Sequence, residues 1–272
     1  MMKSLSQEQI AQIGKVYSEC HSLRKTCRRL NISIGTAHKY TSKLNIINRQ
    51  NIVKRLKSRN ERLIGLYIGL WMGDGTQYYD KGYTVKICSN KNNRLLNQFI
   101  IHSILQLFGK KAVVHNISNT NQAYIKFSSK FIFNFVYNYV DRDLNKTHSV
   151  RLKENIQMYS KEFLEGCLLG LSLSDGYLKK KFRFSVTSEK LAENTSDILT
   201  KLGSNPRIYL DNRQKYGWKN LHTVYLTISD STKVESLLDK ILKKLKCNYT
   251  FQELKYEMGP AGFEPATATV SV

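Results

Sequence analysis

Two aspartates, Asp74 and Asp175, each end an apolar, glycine-bearing run, and a glycine follows each of them. The runs are Leu63-Ile-Gly-Leu-Tyr-Ile-Gly-Leu-Trp-Met-Gly-Asp-Gly and Leu164-Glu-Gly-Cys-Leu-Leu-Gly-Leu-Ser-Leu-Ser-Asp-Gly. Six of the thirteen positions are identical at one constant offset (166 − 65 = 101; 175 − 74 = 101), so the chain contains an internal repeat. Spacing of four puts Gly65, Gly69 and Gly73 along one helix face, and Gly166, Gly170 and Ser174 along another. Each interior glycine costs a helix roughly 1 kcal/mol against alanine. Close approach of two backbones is the simplest compensation, so the two helices are expected to pack stripe to stripe. That packing would bring both aspartates to one end. An Asp-Gly pair suits a helix C-terminus, where the peptide dipoles already place partial negative charge. Two carboxylates and two C-termini together would attract a hard divalent cation, Mg²⁺ or Mn²⁺, that also binds phosphate. The chemistry this permits is metal-assisted phosphodiester hydrolysis. The plainer alternative, two ordinary cap aspartates, does not account for the matched duplication.

Behind each motif helix the sequence predicts strands that alternate with period two: Tyr83–Cys88, Ala123–Phe127, Lys181–Val186 and Thr223–Ile228. One face carries Val85, Ile87, Ile125, Phe127, Phe182, Phe184 and Val186 and should pack on helices. The other carries Lys86, Lys126, Lys181 and Arg183 among Tyr and Thr residues and could lie on DNA. Connecting helices are expected at Arg94–Phe108, Lys130–Tyr139, Glu189–Leu202 and Thr232–Leu245.

The N-terminal segment has helical spacing in three short stretches. Ser22 to Tyr40 resembles a helix-turn-helix of the resolvase or repressor type, with a helix ending near Asn31 and Ser33 capping the next. That resemblance implies DNA contacts from Thr36, His38, Lys39 and Lys43; a plain helical bundle is the other reading. Residues 48–60 read as a basic linker, and 258–272 as a disordered tail without periodicity.

The whole chain has 272 residues and a formal net charge of +22, so a polyanion, with nucleic acid first, is the expected partner. Its apolar runs fall short of the roughly 20 residues a bilayer span needs, so no membrane role is expected. The start is polar and lacks a signal-peptide core. Five scattered cysteines without a C-x-x-C pair point to neither a disulfide framework nor a zinc site. A reducing, intracellular location is expected, cytoplasmic or in an organelle matrix.

The two motif segments resemble those of the LAGLIDADG homing endonucleases in their single-chain, two-repeat form, over about residues 61–257. The resemblance implies an α+β fold. Two pseudo-symmetric αββαββα modules (61–155 and 156–257) would form an antiparallel β saddle over DNA, beside a small all-α helix-turn-helix domain (1–47). It implies that Asp74 and Asp175 are metal-binding catalytic acids, with Gly73 and Ser174 at the same metal site and in the helix packing. The motif's earlier acid is replaced by Met72 in one copy and Leu173 in the other. The family's basic residue after the last helix of each repeat falls on Lys146, and in the second repeat on Lys246, with Lys244 as its neighbour. The implied activity is a metal-dependent double-strand break at a long, nearly asymmetric DNA site by a monomeric, intron-encoded enzyme. Alternatives are a non-cleaving DNA-binding regulator on the same scaffold, or a maturase acting on its own intron RNA.

Overall fold

A computed structural model describes residues 6–20, 23–43, 60–79, 82–142, 146–213 and 217–256. Of the expected linker at 48–60 only Asn60 is among them, and the tail at 258–272 lies outside them. The chain divides into two compact units, residues 1–59 and 60–272.

The first unit has three helices: α1 (Gln7–Cys20), α2 (Leu23–Leu30) and α3 (Ile34–Lys43). Ile13, Thr26, Cys27, Ala37 and Tyr40 are buried and form its core. The α2–α3 turn is built from local chemistry. Asn31 takes a left-handed backbone (φ 50°), which asparagine tolerates. The Ile32 N–H donates to the Cys27 carbonyl at 3.1 Å, closing the end of α2. Ser33 then caps α3, its Oγ accepting from the Thr36 N–H at 3.1 Å.

The second unit contains the repeat. Its first half runs α4 (Glu61–Asp74), β1 (Gly75–Tyr79), β2 (Tyr83–Asn90), α5 (Arg94–Phe108), β3 (Val113–Asn116), β4 (Gln122–Ser128) and α6 (Lys130–Phe135). The expected helix over Lys130–Tyr139 is thus shorter, because a 3-10 turn at Val136–Asn138 replaces its last part. A small hairpin of β5 (Val140–Asp141) and β6 (Arg151–Leu152) follows, with α7 (Lys146–Ser149) between its strands. The second half repeats the order: α8 (Lys161–Ser174), β7 (Gly176–Leu178), β8 (Phe182–Val186), α9 (Glu189–Lys201), β9 (Arg207–Asp211), β10 (Leu221–Tyr225) and α10 (Ile228–Lys244). A last helix, α11 (Phe251–Tyr256), follows it. Helix α10 begins earlier than expected because Thr227 caps it, its Oγ1 accepting from the Asp230 N–H. Among the described residues no helix is long and apolar enough to cross a membrane.

Each half has a four-stranded antiparallel sheet, in the orders β1-β2-β4-β3 and β7-β8-β10-β9. The registers correspond: Gly75 faces Ile87 as Gly176 faces Phe184. Val85, Ile87, Ile125, Phe182, Phe184 and Val224 turn inward and are buried, as the alternation requires.

Helices α4 and α8 form the centre of the unit. Residues Leu63–Met72 and Phe163–Leu173 are buried on every side, the mark of a core helix rather than an amphipathic one. Their glycines have no room for a side chain. A β-carbon on Gly65 would collide with the Phe163 carbonyl, and one on Gly166 with the Arg62 carbonyl. One on Gly69 would lie 2.9 Å from Leu171 N, and one on Gly170 2.6 Å from Leu70 N. The collisions are mutual under the 101-residue offset, so a pseudo-two-fold axis passes between the helices.

At the helices' starting end that symmetry fails in one respect. Arg62 donates twice to Glu165, at 2.8 and 2.6 Å, and Lys244 adds a contact at 3.4 Å. Glu165 is almost fully buried. The symmetry-related positions are Ile64 and Phe163, an apolar pair.

Candidate active site

The motif helices end side by side and deliver both aspartates to one place. A β-carbon on Gly73 would stand 2.8 Å from Asp175 Oδ2 and would collide with the Ser174 hydroxyl. Only the smallest residue therefore lets α4 come this close to the opposing acid. Gly75 and Gly176 serve a purpose the sequence did not suggest. Gly75 is extended (φ −80°, ψ 144°), not left-handed, because it starts β1 directly. It must be glycine because a β-carbon would sit 2.5 Å from Trp71 Cα; at Gly176 it would sit 2.6 Å from Ser172 Cα. The strand thus leaves folded tightly against the helix's last turn, and the aspartate is held at the corner.

Asp74 is half-buried, and Asp175 keeps an open edge while protein atoms crowd it on its other sides. Loss of hydration holds both carboxyls above the ordinary aspartate range, and for Asp74 the neighbouring Asp175 charge adds to the rise. Two lysines oppose it. Lys146, the first residue of α7, donates to the carbonyls of Gly73 (2.9 Å) and Gly75. Lys255, on α11, donates to the carbonyls of Leu173 (2.7 Å) and Ser174 (2.6 Å). Burial pushes the Lys146 ammonium down to about 8, against the pull of Asp175 and Asp74. Burial lowers Lys255 as well. Each acid thus has one half-buried lysine tied to the backbone beside it.

This corrects the expectation for the second repeat. Lys246 is exposed and left-handed (φ 59°) at the turn after α10, and Lys244 pairs with Glu165 at the far end of the helices. The chain turns back at Lys246 and reaches the site one helix later, through Lys255. Gly73 and Ser174 lie at the site, but their carbonyls are the ones the lysines hold. His148 lies apart, its Nδ1 3.2 Å from Thr187 Oγ1, and both burial and Lys219 lower its pKa.

A cleft of about 660 Å³ opens beside Asp74, lined also by Thr76, Cys88, Tyr124, Arg142 and Lys146. Arg142 was not singled out from the sequence; its guanidinium lies over the Trp71 ring at 5.8 Å. The donor set suits a hard cation such as Mg²⁺ or Mn²⁺: two crowded carboxylates whose repulsion a cation would relieve. Among the described residues no group of three or more His, Cys, Asp or Glu is positioned to hold a metal. Asp74 and Asp175 would therefore supply two ligands and leave the rest to water and phosphate.

The outward sheet faces carry the other expected residues. Lys86 sits between the Tyr78 and Tyr124 rings at 4.8 Å from each and opposite Lys126 in the register. Arg183 is exposed and pairs across with Tyr177 and Tyr225. Lys181 is exposed in the β7–β8 turn. In the first unit the Thr36 hydroxyl is 2.8 Å from the Ser33 hydroxyl. His38, Lys39 and Lys43 are on α3, and their side chains lie outside the described residues.

Comparison with known proteins gives consistent results. The family model of a LAGLIDADG-like domain matches residues 162–242. No curated protein sequence matches the chain. Among solved structures, mesophilic variants of the homing endonuclease I-DmoI superpose with a TM-score of 0.52 at 18% identity, covering 65% of this chain and 96% of theirs. I-DmoI in complex with DNA and Ca superposes at 0.51 with 20% identity, covering 66% and 91%. A variant of I-DmoI with its nicked target DNA and Mn superposes at 0.51 with 20% identity, covering 65% and 96%. These likenesses show a common fold, the family match falls on the second repeat, and the first repeat is its pseudo-symmetric partner. Residues 162–242 thus carry a LAGLIDADG-like domain, and the unit as a whole shares the fold of these two-repeat structures.

Proposed function

We propose that this protein is a site-specific DNA endonuclease that makes a divalent-metal-dependent double-strand break in a long, nearly asymmetric target. One observation carries the reading: two crowded carboxylates meet at the ends of paired helices, each with a half-buried lysine beside it. A scaffold that only bound DNA would gain nothing from so unfavourable a pair.

In the hydrolysis a water oxygen bonds to phosphorus as the bond to the leaving deoxyribose oxygen breaks, and that oxygen ends protonated. A bound Mg²⁺ or Mn²⁺ would supply charge stabilisation at the phosphoryl oxygens. Asp74 and Asp175 hold that charge in place. Lys146 and Lys255 add positive charge where negative charge builds up. Lys86, Lys126, Lys181 and Arg183 would meet phosphates or base edges along the sheets. The I-DmoI complexes, which contain DNA with Mn or Ca, support this reading through the shared fold. The three-helix N-terminal unit would add a second DNA contact through α3. One monomer would suffice, since both acids come from one chain.

The decisive test is incubation of the purified protein with duplex DNA carrying its candidate insertion site, with and without Mg²⁺. Cleavage of both strands only with the metal is expected. Tight, site-specific binding with no cleavage would instead favour a non-cleaving regulator.

A further inference from the structure

The two halves of the site are not equivalent, and the difference lies in one cation–ring pair. Trp71 is fully buried beneath the Asp74 corner. Its ring carries two cations: Lys146 Nζ at 4.8 Å from the centroid and the Arg142 guanidinium at 5.8 Å. Arg142 also lies over Tyr137 at 5.7 Å and donates to the Tyr137 hydroxyl at 3.0 Å. Among the described residues no carboxylate pairs with Arg142. A guanidinium has five N–H donors in a fixed plane. The Trp71 and Tyr137 rings hold the guanidinium in place, Tyr137 takes one donor, and among the described residues no other group takes the rest, which leaves them for an anion in the cleft that Arg142 lines with Asp74 and Lys146. Two cations held over one ring beside an acid gain most from a bound phosphate, which a guanidinium can grip with two parallel hydrogen bonds.

The second half lacks this arrangement. The position related to Trp71 by the offset is Ser172, also buried but without a ring. The residue four before Lys255, where Arg142 stands before Lys146, is Phe251, which is buried. A lysine on that side, Lys179, rests over Tyr256 at 5.6 Å, but among the described residues no guanidinium is held at the Asp175 corner.

We propose that Arg142, held over Trp71, grips the scissile phosphate in the Asp74 half of the site alone, so that the two DNA strands are cut in a fixed order. The inference rests on the endonuclease reading above. It makes Arg142 a residue for one strand, unlike the acids, which both strands need.

The test is single-turnover cleavage of the target duplex with each strand separately labelled, for the full chain and for Arg142→Ala and Arg142→Lys. The unmodified protein should pass through a nicked intermediate, always broken in the same strand. Arg142→Ala should slow that strand by about 100-fold or more, the scale of losing one aligned donor, and leave the other within about twofold. Arg142→Lys should slow the same strand less, because charge remains but the planar fork is lost. Binding in Ca²⁺ supplies a readout apart from cutting: Arg142→Ala should reduce the slope of log affinity against log salt by about one. Equal strand rates in the unmodified protein, or equal slowing of both strands in Arg142→Ala, would overturn the inference and leave the nuclease reading intact. No Mg²⁺-dependent cutting of either strand would overturn both.

Discussion

Lys255 holds beside Asp175 the place that Lys146 holds beside Asp74: its Nζ donates to the Ser174 carbonyl at 2.6 Å, while Lys146 donates to the Gly73 carbonyl at 2.9 Å. Ser174 and Gly73 are themselves related by the repeat. The two lysines thus form a pair although the chain segments that carry them differ.

That pairing predicts three outcomes for strand cleavage under saturating Mg²⁺. Lys146→Met and Lys255→Met should each lower the rate by about 100-fold or more, the magnitude seen when a preorganised charge-stabilising donor is removed. Lys246→Met should stay within about twofold of the unmodified chain. A strong loss at Lys246 with none at Lys255 would reverse the assignment.

The carboxylates give a pH dependence with a definite sign. Both are held above their ordinary value in the folded chain. From about pH 4 upward the folded state therefore binds more protons than the unfolded one, and the metal-free protein loses stability as pH rises through the folded values. A divalent cation neutralises the ionised pair. The rise in Tm on adding Mn²⁺ should accordingly be larger at about pH 8 than at about pH 5. Asp74→Asn should remove most of that rise and abolish cutting while keeping most DNA affinity. Thermal melts at the two pH values check both statements.

The glycine stripe gives a stability prediction opposite to the usual one. Alanine in place of a helical glycine ordinarily gains up to about 1 kcal/mol. Here Gly69→Ala or Gly170→Ala should cost about 3 kcal/mol, because the added carbon meets backbone that can move only by separating the helices. Urea denaturation would measure it; an unchanged midpoint would contradict the packing.

At the other end of the same helices, Glu165→Leu should cost about 3–5 kcal/mol, since it leaves the Arg62 guanidinium buried without its partner. The double variant Arg62→Met, Glu165→Leu should recover most of that loss. A double-mutant cycle in denaturant would test the coupling.

The repeat, the helix pairing and the convergence of the acids were legible in the sequence, because a spacing of four and an offset of 101 follow from the chain alone. So were the sheets, from their alternation. The second lysine was not. Asp74 and Lys146 are 72 apart (146 − 74 = 72), and the same step from Asp175 falls beside Lys246. In the second repeat the interval is 80 (255 − 175 = 80), because the closing helix α10 has 17 residues where α6 has 6. Loop and helix lengths outside the motif are not bound by the symmetry within it. Arg142 was hidden for a related reason: its partner Trp71 reads as core, and only the fold shows that cations lining the cleft rest over that buried ring. The extended conformation of Gly75 depends likewise on how closely β1 follows α4.

The Arg62–Glu165 pair carries one more consequence. Its symmetry mates, Phe163 and Ile64, are apolar, so the two halves of the interface have become lock and key. A chain made of two first repeats would bury two guanidiniums at that end, and one made of two second repeats would bury two carboxylates. Duplicated halves that once could have been interchangeable are now committed to each other.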